Sequence, residues 1–187
     1  MRKLIIITLA IIAVAYNANA QRLPSPKLPP QILNPRPGYI NITEFNYGIG
    51  LSEINVPYSA YHFGLTTVNG YQINRFFIVG AGTGVLFYND GFLVPLYLQG
   101  RLSYPVVNRK TAPYANAEGG ALLNFEDFGG GTRLFINPMV GVRYTLSQTV
   151  ALNLSTGLFM QMGPAKTRDS FLNFKLGVLI IPINRRY

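Results

Sequence analysis

The sequence predicts an all-β fold, an eight-stranded antiparallel transmembrane up-and-down β-barrel, from three features of its 187 residues. Long segments alternate apolar with polar residues, turn-forming residues punctuate them, and an export signal precedes them. Alternation identifies strands, because successive side chains point to opposite faces.

The alternation is clearest late in the chain. Leu134, Ile136, Pro138, Val140, Val142, Tyr144 and Leu146 alternate with Arg133, Asn137, Gly141, Arg143 and Thr145, and only Phe135 and Met139 break the polar set. After Ser147-Gln148-Thr149 the pattern resumes, with Leu152, Leu154 and Leu158 set against Asn153, Ser155 and Gly157.

At the N-terminus, Met1-Arg2-Lys3 is basic, Leu4 to Ala15 is almost wholly apolar, and Ala18-Asn19-Ala20 is a small-x-small cleavage site. Residues 1–20 are therefore expected to be a cleaved signal peptide. The apolar run is too short for the ~20 residues of a spanning helix. No Cys occurs anywhere, which excludes disulfides and a lipid-modified cysteine. Residues 21–37 carry Pro24, Pro26, Pro29, Pro30, Pro35 and Pro37, a composition for an extended periplasmic linker rather than a helix or central strand.

Residues 38–187 form the expected outer membrane barrel. Its strand candidates are Tyr39–Leu51, Tyr58–Val68, Tyr71–Tyr88, Phe92–Val106, Ala112–Phe125, Thr132–Leu146, Val150–Gly163 and Ser170–Pro182. Asn69-Gly70 and Asn89-Asp90-Gly91 are hairpin signals, and Asp127 to Gly131 is a glycine-rich loop. The segments match or exceed the ~9–11 residues that a tilted strand needs to cross hydrocarbon. Closure follows from the solvent, since an open sheet edge in lipid leaves peptide groups unpaired. An even strand count puts both termini on one side, the periplasm. Tyr39, Tyr58, Tyr61, Tyr71, Phe87 and Tyr88, with Phe92, Tyr104, Tyr114, Phe125, Tyr144 and Phe171, stand near strand ends, where interfacial girdles belong.

The formal net charge is +9, and loss of Arg2 and Lys3 with the signal lowers it by two. The cations are dispersed rather than clustered, which argues against nucleic acid and for contact with outer membrane lipid or simple solubility. Glu44, Arg101, Glu118, Arg143 and Lys175 fall on the face opposite the apolar set of their strands and are expected to form a charge network in the lumen. A hairpin centred near Arg109-Lys110 would set Arg101 almost opposite Glu118, and closure would bring Lys175 toward Glu44.

The segments Gly38–Gly50, Gly64–Asn74, Gly80–Gly91, Ile136–Arg143 and Asn173–Gly177 resemble the small outer membrane β-barrel proteins of Bacteroidetes, and a signal ending in Ala-Gln fits that group. The resemblance spans roughly residues 38 to 181 and implies a barrel of the OmpA and OmpX architecture, inserted by the barrel assembly machinery. Members of that group mostly lack a known biochemical role. Such barrels usually finish on an alternating strand with an aromatic last residue. Here Tyr187 is aromatic, yet Pro182 and Arg185-Arg186 interrupt the alternation, so the last strand is expected either to end near Ile181 or to carry a poor assembly signal.

No constellation for catalysis is found. His62 is the single histidine, and a Glu44–His62 pair across one hairpin is sterically allowed. Hydrolysis also needs a nucleophile within the histidine's reach. The lipid A deacylase type of barrel presents His-x-Ser, whereas the residue two along here is Gly64. Glu126-Asp127 lacks the spaced oxygens of a calcium loop. Gly80-Ala-Gly-Thr-Gly84 has no following helix to complete a phosphate site, and its glycines relieve crowding in a narrow barrel instead. The expectation is a structural or surface-interaction role, with no enzymatic activity, no cofactor, no metal and no nucleic-acid partner. A lipid- or small-molecule-binding barrel is the alternative, followed by a membrane lipid hydrolase.

Overall fold

The structure is a computed structural model that describes residues 37–51, 60–89, 91–104, 110–125, 131–163 and 168–181. The expected signal peptide, all but the last residue of the linker, and residues 182–187 lie outside the described residues, as do Tyr58 and the loop at 126–130.

Eight strands follow one another: β1 (Gly38–Gly50), β2 (Tyr61–Gln72), β3 (Phe77–Tyr88), β4 (Gly91–Ser103), β5 (Thr111–Leu123), β6 (Arg133–Thr145), β7 (Val150–Met162) and β8 (Arg168–Ile180). Each pairs antiparallel with the next, and β8 closes on β1 from Asn41↔Ile180 to Gly50↔Phe171. At ~3.3 Å per residue and a tilt near 40°, such strands cover about 30 Å along the axis, enough for the ~25 Å apolar band of a membrane barrel.

Alternation becomes two faces. Leu98, Val140 and Leu154 point outward, 71%, 63% and 60% exposed, while Arg101, Asn137 and Asn153 point into the lumen and are buried. A soluble protein hides its large apolar residues and exposes its charges. Here the polarity is reversed, which fits a barrel solvated by hydrocarbon.

The lumen is layered rather than uniformly polar. Ile40, Ile42, Val68, Ile78 and Leu179 pack at the end where β1 begins and β8 finishes. Toward the opposite end, His62, Tyr88, Phe135, Phe159 and Phe171 form an aromatic cluster with ring centroids 4.9–6.2 Å apart. Polar and charged groups fill the space between. Tyr88, Tyr114 and Phe171, expected in an interfacial girdle, are therefore lumen residues, 6%, 4% and 1% exposed. Strand parity, not aromatic character, decides the face. Tyr39, Tyr61, Tyr71, Phe87, Phe92, Tyr104, Phe125 and Tyr144 do stand outward.

Two turns differ in outcome. Between β3 and β4 the expected hairpin forms, and Gly91 takes φ +142°, a conformation that L side chains rarely adopt. Asn69-Gly70, however, is no turn. The β2–β3 ladder continues through Asn69↔Ala81 and Gly70↔Gly80 to Gln72↔Ile78. The chain reverses over residues 73–76, where Asn74 Oδ1 accepts the Phe76 and Phe77 N–H groups at 2.8 and 2.9 Å. That side-chain acceptor shapes a turn without glycine. Asn69 joins an outward polar ladder, accepting at Oδ1 from Tyr39 Oη (2.6 Å) and Asn41 Nδ2 (2.9 Å).

Candidate functional site in the barrel lumen

Inward residues of β1, β4, β5 and β8 converge on a buried ionic cluster. Glu44 on β1 pairs with Arg101 on β4 at 2.8 Å and with Lys175 on β8 at 3.4 Å. The Lys175 ammonium donates to both carboxylate oxygens of Glu118 on β5 at 2.7 Å. Glu118 also accepts from Gln99 (2.8 Å), Asn137 (2.9 Å) and Asn116 (3.4 Å). Two carboxylates and two cations balance, so the cluster is formally neutral. Each charge thus has an opposite partner, as charges taken from water require, although Arg101 Nε and Nη1 have no hydrogen-bond partner among the described residues.

The structure thus brings together Glu44, Arg101, Glu118 and Lys175. Arg143 stands apart, donating from Nη2 to Ser103 Oγ at 3.1 Å. The anticipated Arg101–Glu118 facing is corrected. Arg101 pairs in register with Asn116, and Gln99 with Glu118, because the β4–β5 ladder is centred earlier in the chain than Arg109-Lys110. The slip is by two residues, which keeps every side chain on its face. Arg101 instead crosses the lumen to Glu44, and its guanidinium lies 4.5 Å over the Tyr114 ring.

Glycines make room for the large inward groups. Tyr97 is in register with Gly82 on β3 and Gly120 on β5, and a Cβ at Gly82 would collide with its ring. The Gly80–Gly84 run is therefore a packing feature, as its alternation implies. Tyr97 in turn approaches Lys175, with the ammonium 5.7 Å from the ring centre.

His62 does not form the Glu44 pair. In register it faces Gly48, while Glu44 faces Thr66 and spends its carboxylate on Arg101 and Lys175. The imidazole is fully buried against Tyr88, Phe159 and Phe171. The adjoining cavity, lined by His62, Asn46, Thr66, Asn173 and Lys175 among others, holds about 10 Å³, room for a single water. Small-molecule sites typically need ~300–1,000 Å³. Among the described residues no group of His, Asp and Glu is arranged to hold a metal ion. A second ion pair missed by the sequence reading lies toward the opposite end, where Arg133 and Asp169 are 2.9 Å apart and Gln161 donates to the same carboxylate at 3.1 Å.

A closed eight-stranded antiparallel barrel with an apolar outer belt and a lumen filled by side chains is a transmembrane β-barrel of small size. Comparison with the solved structure of one outer membrane protein agrees on that fold. The chain is similar to Neisserial surface protein A, with 14% identity over 76% of this chain and 96% of that one, at a TM-score of 0.59. The N-terminal β-barrel domain of Pseudomonas aeruginosa OprF is a more distant likeness, with 15% identity over 78% and 100% of the two chains and a TM-score of 0.49. No family model and no curated protein matches the sequence.

Proposed function

We propose that this protein is an outer membrane β-barrel, exported through a cleaved signal peptide, with a structural or surface-interaction role and no catalytic activity. The observation that carries the reading is the reversed polarity of a closed barrel: ionised groups buried inside, four of them in a neutral cluster, and Leu, Val and Phe outside. The N-terminal sequence pattern and the segments resembling small Bacteroidetes barrels support the location. The lumen ion cluster acts as a lock that fixes the relative positions of β1, β4, β5 and β8, leaving function to the exposed ends. A ligand-binding lumen is disfavoured by a cavity of about 10 Å³.

Cell fractionation tests this. The chain should be recovered in the outer membrane, cleaved after Ala20, and should migrate differently before and after boiling on a denaturing gel. Recovery of the intact mature chain in the soluble periplasmic fraction would overturn the reading.

A further inference from the structure

Outside the lumen, ionised side chains are sorted by end. The start of β1, the end of β8 and the β2–β3, β4–β5 and β6–β7 connections share one end of the barrel, called here the terminal end. Before β1 the sequence that remains after cleavage at Ala20 carries Arg22, Lys27 and Arg36, and after β8 it carries Arg185 and Arg186. Arg75 lies in the β2–β3 turn, and Arg109-Lys110 in the β4–β5 connection. No Asp or Glu occurs in any of these segments. The remaining carboxylates fall in the sequence between the other strand pairs, Glu53 between β1 and β2, Asp90 between β3 and β4, and Glu126 and Asp127 between β5 and β6, with Lys166 between β7 and β8 and Arg168 opening β8, while Asp169 and Arg133 pair with each other inside the barrel. Solubility alone asks for mixed signs, not for this separation.

The two described cations of the terminal end occupy a definite level. Arg75 is exposed and lies 4.5 Å over the Phe76 ring, two residues in the chain from outward Ile73 on one side and outward Phe77 on the other. Lys110 is exposed, and its carbonyl holds the Thr145 N–H beside outward Tyr144 and Leu146. Both sit just beyond the outward tyrosines Tyr39, Tyr71, Tyr104 and Tyr144. Among the described residues neither is paired with a carboxylate. Tyrosine rings favour the interface between hydrocarbon and headgroups, and cations just beyond them meet lipid phosphates.

We propose that the terminal end of the barrel is a binding surface for anionic phospholipid headgroups, with Arg75 and Lys110 as phosphate contacts. The proposal rests on the membrane reading above. The position of the cations at the edge of the apolar belt favours lipid over a wall polymer lying farther from the bilayer.

The test folds the chain from Gln21 into vesicles of phosphatidylcholine, with and without phosphatidylglycerol. Folding is read by the heat-dependent gel shift. Lipids retained by the folded barrel are then counted by native mass spectrometry from micelles holding equal amounts of both. Phosphatidylglycerol should be retained preferentially, by about fivefold per cation near the surface, and the preference should fall with salt. Arg75→Gln with Lys110→Gln should remove most of the preference without changing the gel shift, while Arg168→Gln at the opposite end should leave it intact. A barrel that folds in both vesicles but retains the two lipids equally overturns this proposal alone. A chain that folds in neither overturns it together with the membrane reading. Binding to purified cell-wall sacculi that the double variant abolishes, without lipid preference, overturns it in favour of a wall polymer.

Discussion

Lys175 on β8 lies 2.7 Å from both carboxylate oxygens of Glu118 on β5, although two strands separate them around the wall. The contact spans the lumen, so it ties together parts of the barrel that the hydrogen-bonded ladders do not join directly. Removing Lys175 alone, as Lys175→Met, leaves a buried carboxylate without its cation and should cost about 3–5 kcal/mol. In a double-mutant cycle with Glu118→Gln the two losses should be far from additive. Urea unfolding from detergent or lipid measures the coupling.

Arg101 supplies a control for register. Its carboxylate partner is Glu44 at 2.8 Å, not Glu118. A cycle of Arg101→Met with Glu44→Gln should show strong coupling, and one of Arg101→Met with Glu118→Gln a much weaker one. Equal coupling in both would contradict the observed β4–β5 alignment.

Gly82 tests the fit of the lumen. A methyl group there meets the Tyr97 ring, so Gly82→Ala should destabilise by about 1–3 kcal/mol, the usual range for overpacking. Shortening the neighbour in Tyr97→Leu should relieve most of that loss in the double variant. The same urea assay decides, and a Gly82→Ala protein as stable as the parent would show that the ring moves aside freely.

Charge on the belt should be felt by depth. Val140→Arg or Leu154→Arg places a guanidinium on the outer face and should cost ~2–4 kcal/mol near the midplane. Insertion yield into vesicles measures this, and unchanged yields for both variants would reject hydrocarbon as the solvent of that face.

The β2–β3 turn gives a local test. Asn74→Ala removes the acceptor for two backbone donors and should lower stability by about 1 kcal/mol. Loss of the native register at Asn69-Gly70 after this change would be seen by cysteine crosslinking of paired strand positions.

Strand count, faces and closure were legible because parity is a local property that survives any error at strand ends. Val140 and Arg143 could be assigned to opposite sides from their spacing alone. Turn position was less legible. Asn69-Gly70 has the composition of a tight hairpin, but ladder pairing on both sides outweighs it, and Asn74 three residues before Phe77 shapes the actual reversal. The cluster was legible only as a set of inward charges. Which of them meet depends on the inter-strand alignment and on side-chain reach across the lumen. The Arg101–Glu44 contact, between residues 57 apart in the chain, could not be read from one hairpin. Arg143 shows the same limit, sharing the parity of the others while donating to Ser103.

Leu98 and Gln99 are consecutive in the chain, yet one meets lipid and the other donates to Glu118 at 2.8 Å. Lipid is a fluid neighbour and accepts any oily side chain, so Leu98 can be exchanged for another aliphatic residue at little cost. Gln99 answers to a fixed partner and can change only together with it. Related barrels should therefore drift at two tempos along every strand: freely at the outward positions, and slowly, in coordinated sets, at the inward ones.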